Sequence, residues 1–312
     1  ANLPRLDSVG TLFQVNDTAG GINVVSSSGD ISVTGIQSVV SSTNLKTALR
    51  FAPAAAAGSI RIGSINDDPA SYTGDITING DSIRNHTATA TAGAVKMIGS
   101  GELNFVPTST SFSRDFVLPT NWDFGTQHSI LTIGKTTNTA NVTISNAQTV
   151  TNDFKLFGGN VALNGALTAT AANSSIQLQA SGSATQTQAF SAANLDLQGT
   201  GNFTLTNTAN NVDVLAGGSS TTRLGTVSYV NADQLTVGST VNSNGLTSSG
   251  DINISTITGD LTVQQAIATQ STTSTAITLN AGSSATPGTA TGGDIDVTAN
   301  ITTGTNGRAR LF

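Results

Sequence analysis

The chain has 312 residues, of which 10 % are charged and 4 % aromatic, with one Met, one Trp and no Cys. A net charge of -6 argues against a nucleic-acid-binding protein, because phosphate recognition needs clustered Lys and Arg and only Arg223, Arg308 and Arg310 are basic after Lys155. The cysteine count removes any disulfide framework, no apolar run reaches the ~18 residues of a membrane-spanning helix, and regular apolar pairs with modest net charge argue against disorder.

Thr, Val and Ile, which favour strands, and Gly, Asn and Ser, which favour turns, dominate the chain. The first part, residues 1–128, is the less regular one. Strand-like pairs stand at Ile60 and Ile62, Val95 and Met97, and Leu103 and Phe105. Between them, Asn44 to Phe51 places Leu45, Ala48 and Leu49 on one helical face ahead of Pro53, which predicts a short helix over 44–51. Residues 52–58 read as a Pro- and Ala-rich connector, and Asn66 to Tyr72 as an exposed turn. The segment Val106 to His128 holds Phe112, Phe116, Trp122 and Phe124 between Pro107 and Pro119. These four aromatics have two readings: bulky side chains filling a wider section of core, or a protruding contact surface, which makes them the candidate binding residues.

From residue 129 to 312 the repeat is regular. Apolar-x-apolar pairs begin at Val142, Val161, Ile176, Leu195, Val212, Leu235, Ile252, Ile277 and Ile295, on average about 19 residues apart. Four phrases share one form: Gly29-Asp30-Ile31-Ser32-Val33, Gly74-Asp75-Ile76-Thr77-Ile78, Gly250-Asp251-Ile252-Asn253-Ile254 and Gly293-Asp294-Ile295-Asp296-Val297. The expected role of Gly-Asp is a turn, with glycine supplying positive φ and the aspartate bonding amides just beyond it. Repeats of this size cannot bury their apolar pairs alone, but stacking coil on coil closes a continuous core. The expectation is an all-β, right-handed parallel β-helix, one continuous solenoid of about 16 coils of roughly 19 residues, on the order of 80 Å long.

The Gly-Asp-Ile-x-Val phrases, the loose period, the absence of Cys and the Ser/Thr/Asn/Gly background resemble the repeat regions of large bacterial surface exoproteins, the filamentous-haemagglutinin-type adhesins and autotransporter passengers. Phe112 to Leu118, followed by Trp122-Asp123-Phe124-Gly125 and Leu131-Thr132-Ile133-Gly134, is similar to a coil of autotransporter passengers. The resemblance implies a secreted, cell-surface or extracellular β-helical shaft that meets a host or neighbouring cell surface, or copies of itself end to end. It brings no catalytic residues and no cofactor. The start at Ala1, without an initiator Met or a signal-peptide pattern, reads as a processed or excised piece.

The alternative is a carbohydrate-active β-helical enzyme or phage-type fibre acting on a surface polysaccharide. Its candidates are Asp294 and Asp296, two apart and flanking an inward pair, since glycoside hydrolysis uses two carboxylates at a set distance. The corner aspartates Asp251 and Asp260 raise the question of calcium, which prefers oxygen ligands. His86 and His128 are the only histidines and read as surface residues. Neither a metal nor a catalytic centre is expected, and the chain reads as a structural and adhesive protein without enzyme activity.

Overall fold

The computed structural model describes residues 69–85, 95–285 and 292–312, preceded by the strands Phe13–Asn16, Ile22–Val24, Ile31–Thr34, Ile36–Val39, Leu45–Ala52 and Ile60–Gly63. The chain is all-β with essentially no helix, and its stacked parallel strands form a β-solenoid of about eight turns. It divides into two compact units, Ala1–Gly158 and Gly159–Phe312.

In the first unit Ile31 pairs with Ile76, Ile76 with Leu103, Leu103 with Leu131 and Leu131 with Phe154, always in parallel. A second row runs from Phe116–Leu118 to Val142–Ile144, and a third from Ile60–Gly63 through Val95–Ile98 to Trp122–Asp123. Leu45–Ala52, expected as a helix, is a strand. It pairs in parallel with Phe13–Asn16 and Ser82–Asn85 and antiparallel with Ile36–Val39. Its spacing fits a helical face, but an extended neighbour on either side offers the backbone a ladder that a lone helical turn lacks. The connector at 53–58 lies outside the described residues, and Pro69–Ser71 is a single 3-10 turn.

In the second unit one row of inward residues runs Ile176, Leu195, Leu215, Val237, Val263, Val297. Read along this row, the turn lengthens from 19 residues (Ile176 to Leu195) to 34 (Val263 to Val297). The short turns use long bent strands. Ser175–Gln186 pairs with Phe190–Gln198 near its start and with Asn202–Leu205 near its end. The long turns add a separate strand: Gly217 pairs with Leu246, which opens the series Leu246–Ser248, Ile267–Thr269, Ile301–Thr302.

This corrects the expected count of about 16 coils. The apolar pairs counted along the chain belong to different rows, since Leu195 lies over Ile176 while Ile252 pairs with Ile277 and Leu235 with Leu261. Pairs from neighbouring rows of one turn therefore pass for successive repeats.

Alternation decides what is inside. Leu235, Val237, Leu261, Val263, Ile277 and Leu279 are each at most 1 % exposed, with partly open Thr236, Thr262 and Thr278 between them. Burying each large apolar side chain is worth about 1.5–3 kcal/mol.

Glycine and aspartate act differently from expectation. Of the Gly-Asp glycines described, Gly259 has positive φ (77°), whereas Gly250 and Gly293 do not. Glycine is needed for close approach instead: a Cβ on Gly101 would run into the Gly74 carbonyl, and one on Gly293 into that of Gly259. The aspartate bonds the next turn, not its own. Asp75 accepts from the Glu102 amide (2.7 Å), Asp115 from Asn141 (3.1 Å) and Asp260 from Asp294 (2.9 Å). Asn160 and Asn202 do the same for Ser183 (2.9 Å) and Thr226 (2.8 Å). In each case acceptor and donor stand one residue before an inward side chain, so the ladder fixes the register of successive turns.

Candidate functional site

The outward residues of one row in the second unit make a shallow groove of about 290 Å³. Val227, Tyr229, Ile252, Ile254, Ile277 and Leu279 point inward and are at most 1 % exposed, so the residues between them face out. Register then stacks Ser228 on Asn253 on Thr278, and Val230 on Ser255 on Asn280. Thr206 closes one side. The lining offers hydroxyls and carboxamides at the spacing of parallel strands, which suits hydrogen bonding to a neutral polyhydroxylated ligand. Tyr229 beneath it is not available: burial pushes its phenol well above the ordinary range, Asp233 adds to this, and its hydroxyl donates to Asn231 Oδ1 at 2.7 Å.

The four aromatic candidates are brought together, but inside. Phe112, Phe116, Trp122 and Phe124 are between 2 and 5 % exposed. Phe105 stacks on Trp122 at 5.6 Å and meets Phe116 at 5.5 Å and Phe124 at 5.4 Å, while Phe112 lies 5.4 Å from Phe116. Of the two readings of these aromatics, the structure shows the core one, and their side chains form no protruding contact surface. Phe116 and Trp122 take inward positions on their strands, Phe112 and Phe124 join them from the adjoining loops, and one cluster of five excludes more water than a protrusion would.

His128, read as a surface residue, is also buried, at 2 % exposure. Its Nε2 lies 2.8 Å from the Met97 carbonyl and its Nδ1 3.0 Å from that of Gly101. Burial lowers its pKa, and the two carbonyls oppose that effect without cancelling it. A neutral ring donates to one of them. His86 lies outside the described residues.

Asp294 and Asp296 are exposed on the last turn, and the Asp294 amide is held by Asp260. Asp251, weighed for calcium with Asp260, accepts from the hydroxyls of Ser271 and Thr273, the latter at 2.9 Å. Donors of the following turn thus take up Oδ1 of each of these two carboxylates. Among the described residues no group of three or more His, Asp or Glu is gathered, and no helix is long and apolar enough to cross a membrane.

Two polar clusters were not legible in the sequence. Asp196, 2 % exposed between inward Leu195 and Leu197, accepts from Ser243 Oγ (2.7 Å), Asn242 Nδ2 (2.7 Å) and Gln198 Nε2 (2.8 Å). It pins the loop 238–245 across the outer face, leaving Val241 at the tip 90 % exposed. Buried asparagines form the second. Asn138 accepts from Phe112 N (3.1 Å) and donates to Phe157 O (2.7 Å), and Asn210 accepts from Phe190 N (3.2 Å) and donates to Val230 O (3.1 Å). Each ties the turn before it to the turn after.

Comparison of the chain with protein-family models, with curated proteins and with solved structures gives no match.

Proposed function

We propose that the chain is a structural and adhesive protein, a right-handed β-helical shaft of a bacterial surface exoprotein that works outside the cell. The observation that carries this reading is the use to which the patterned residues are put. Apolar pairs fill the core, and Asp75, Asp115, Asn160, Asn202 and Asp260 hold the amides of the next turn. The three aspartates among them, the ones able to carry acid–base chemistry, thus serve register and stiffness. Right-handedness follows from the preference of parallel crossovers. The Ser228, Asn253 and Thr278 row is the contact face of this reading, and its partner a neutral glycan of a host or neighbouring cell surface.

The test is binding of labelled chain to cells and to an immobilised glycan panel, with reducing ends assayed in the same wells. Saturable binding that falls about tenfold or more in Asn253→Arg/Thr278→Arg, whose bulk and charge block the groove, supports the reading. Released reducing ends that disappear in Asp294→Asn or Asp296→Asn would make the chain a polysaccharide-cleaving enzyme instead.

A further inference from the structure

The groove over Tyr229 and Ile254 has a direction. Along any one strand it is only two outward residues wide, Ser228 with Val230, Asn253 with Ser255 or Thr278 with Asn280, but across the strands it continues from turn to turn. Register carries one wall back a further turn, since Phe203 lies on Val227 and Thr204 on Ser228. Thr204, Ser228, Asn253 and Thr278 are thus one outward residue from each of four successive turns, in line with the stacking direction. All four carry a hydroxyl or a carboxamide and are exposed or half-exposed. Among the described residues no charged side chain lines the groove, and Asp251, two residues before Asn253, accepts from Ser271 and Thr273.

We propose that this groove binds a linear, extended glycan laid along the stacking direction, about one sugar to a turn. The inference rests on the glycan-contact reading above and names the class of glycan. Parallel strands stand ~4.8 Å apart, and a pyranose linked through equatorial oxygens on opposite sides of its ring advances a chain by nearly the same distance. Such a chain presents its free hydroxyls at the interval at which the row presents its polar groups. Ser and Thr hydroxyls both donate and accept, as does the Asn253 carboxamide, which is what a sugar hydroxyl requires. Ser255 and Asn280 on the other wall serve a sugar that presents its opposite edge, and Val230 offers an apolar place for the C–H face of a ring. β-1,4-Linked hexosans and xylan have this extended form. An α-1,4-linked glucan coils and leaves the row after one or two sugars.

The experiment is calorimetric titration of the 312-residue chain with β-1,4-linked gluco-, manno- and xylo-oligosaccharides, from one sugar to about six, with α-1,4-linked gluco-oligosaccharides as controls. In at least one β-linked series affinity is expected to rise about threefold to tenfold per sugar and to level off near four, while the α-linked series stays flat beyond about two. Thr204→Ala and Thr278→Ala, at the two ends of the row, should each bring the plateau in by about one sugar and leave disaccharide binding within about twofold. Asn253→Ala, inside the row, should weaken the plateau ligand about tenfold. All three side chains face outward, so the far-UV spectrum should stay that of the wild type. A plateau at a single sugar, equal affinity for the α-linked series, end variants that weaken every length alike, or no binding of any β-linked series overturns the axial site. Binding to another member of the immobilised panel that Asn253→Arg/Thr278→Arg still blocks would then leave the proposed function standing, whereas a chain that binds neither glycan nor cell removes both.

Discussion

A methyl group added to Gly225 would lie 2.9 Å from the Gly201 carbonyl oxygen and closer still to the Asn202 side chain. Neither can retreat easily, since the Gly201 carbonyl accepts the Gly225 amide at 2.8 Å and Asn202 Oδ1 accepts the Thr226 amide at 2.8 Å. Gly225→Ala should therefore cost about 1–3 kcal/mol in chemical denaturation, as overpacking does. Gly292→Ala is the control, because the nearest atom to its methyl would be Ala285 Cβ at 3.4 Å. His128 gives a second test at this scale. With its folded pKa below the ordinary 6.5, the unfolded chain takes up a proton that the folded chain refuses as pH falls below that value. Stability should drop between pH 7.5 and the folded pKa and then level off in this contribution. His128→Asn should have a flatter melting-temperature profile over that window; an equal slope would mean that His128 does not titrate as its burial requires.

At the scale of elements, the loop 238–245 shows how one outward carboxylate can organise a segment more than forty residues away. Asp196 receives Asn242 and Ser243 across separations of 46 and 47 residues. Asp196→Ala should release the loop, raising hydrogen exchange over 238–245 and protease cutting beside Val241, for a global loss of about 2 kcal/mol. Protection unchanged from the wild type would show that the Ser239 to Asn244 side-chain bond (2.7 Å) holds the loop by itself. Sequence alternation locates Asp196 on the outward side of its strand, since Leu195 and Leu197 are inward. It carries no sign of the loop, because Asn242 and Ser243 resemble every other polar corner of this chain. The 44–51 segment fails for a related reason: Leu45, Ala48 and Leu49 fit a helical face locally, and only the strands on either side of Leu45–Ala52 favour the extended form.

For the molecule as a whole, a Ser/Thr/Asn-rich chain with 10 % charged residues has few ion pairs to draw on and is held by inward apolar rows and by side chains bonded to neighbouring turns. The corner carboxylates belong to this second set, with Asp251 on Ser271 and Thr273 and Asp260 on the Asp294 amide. EDTA should then leave the melting temperature within about 2 °C of its value in calcium, whereas a stabilising metal at a hundredfold its Kd would contribute about 2.7 kcal/mol and shift it further. A larger fall on chelation would mean that these oxygens are bridged by a cation and not by the donors of the next turn.

The sequence by itself determined the all-β class, the parallel stacking and the inward face of nearly every strand, because period-two alternation is a local property written into each short segment. It also marked the Gly-Asp corners as special. Only the tertiary structure decided what lies over what. Turns of 19 to 34 residues make the distance between stacked partners variable, so pairs from neighbouring rows pass for repeats. The same dependence on long-range register decided that Phe112, Phe116, Trp122 and Phe124 close a core, that the Gly-Asp glycines serve close approach and that their aspartates hold the following turn. Burial and hydrogen-bond partners across a solenoid are set by the turn before and the turn after, and neither is adjacent in sequence.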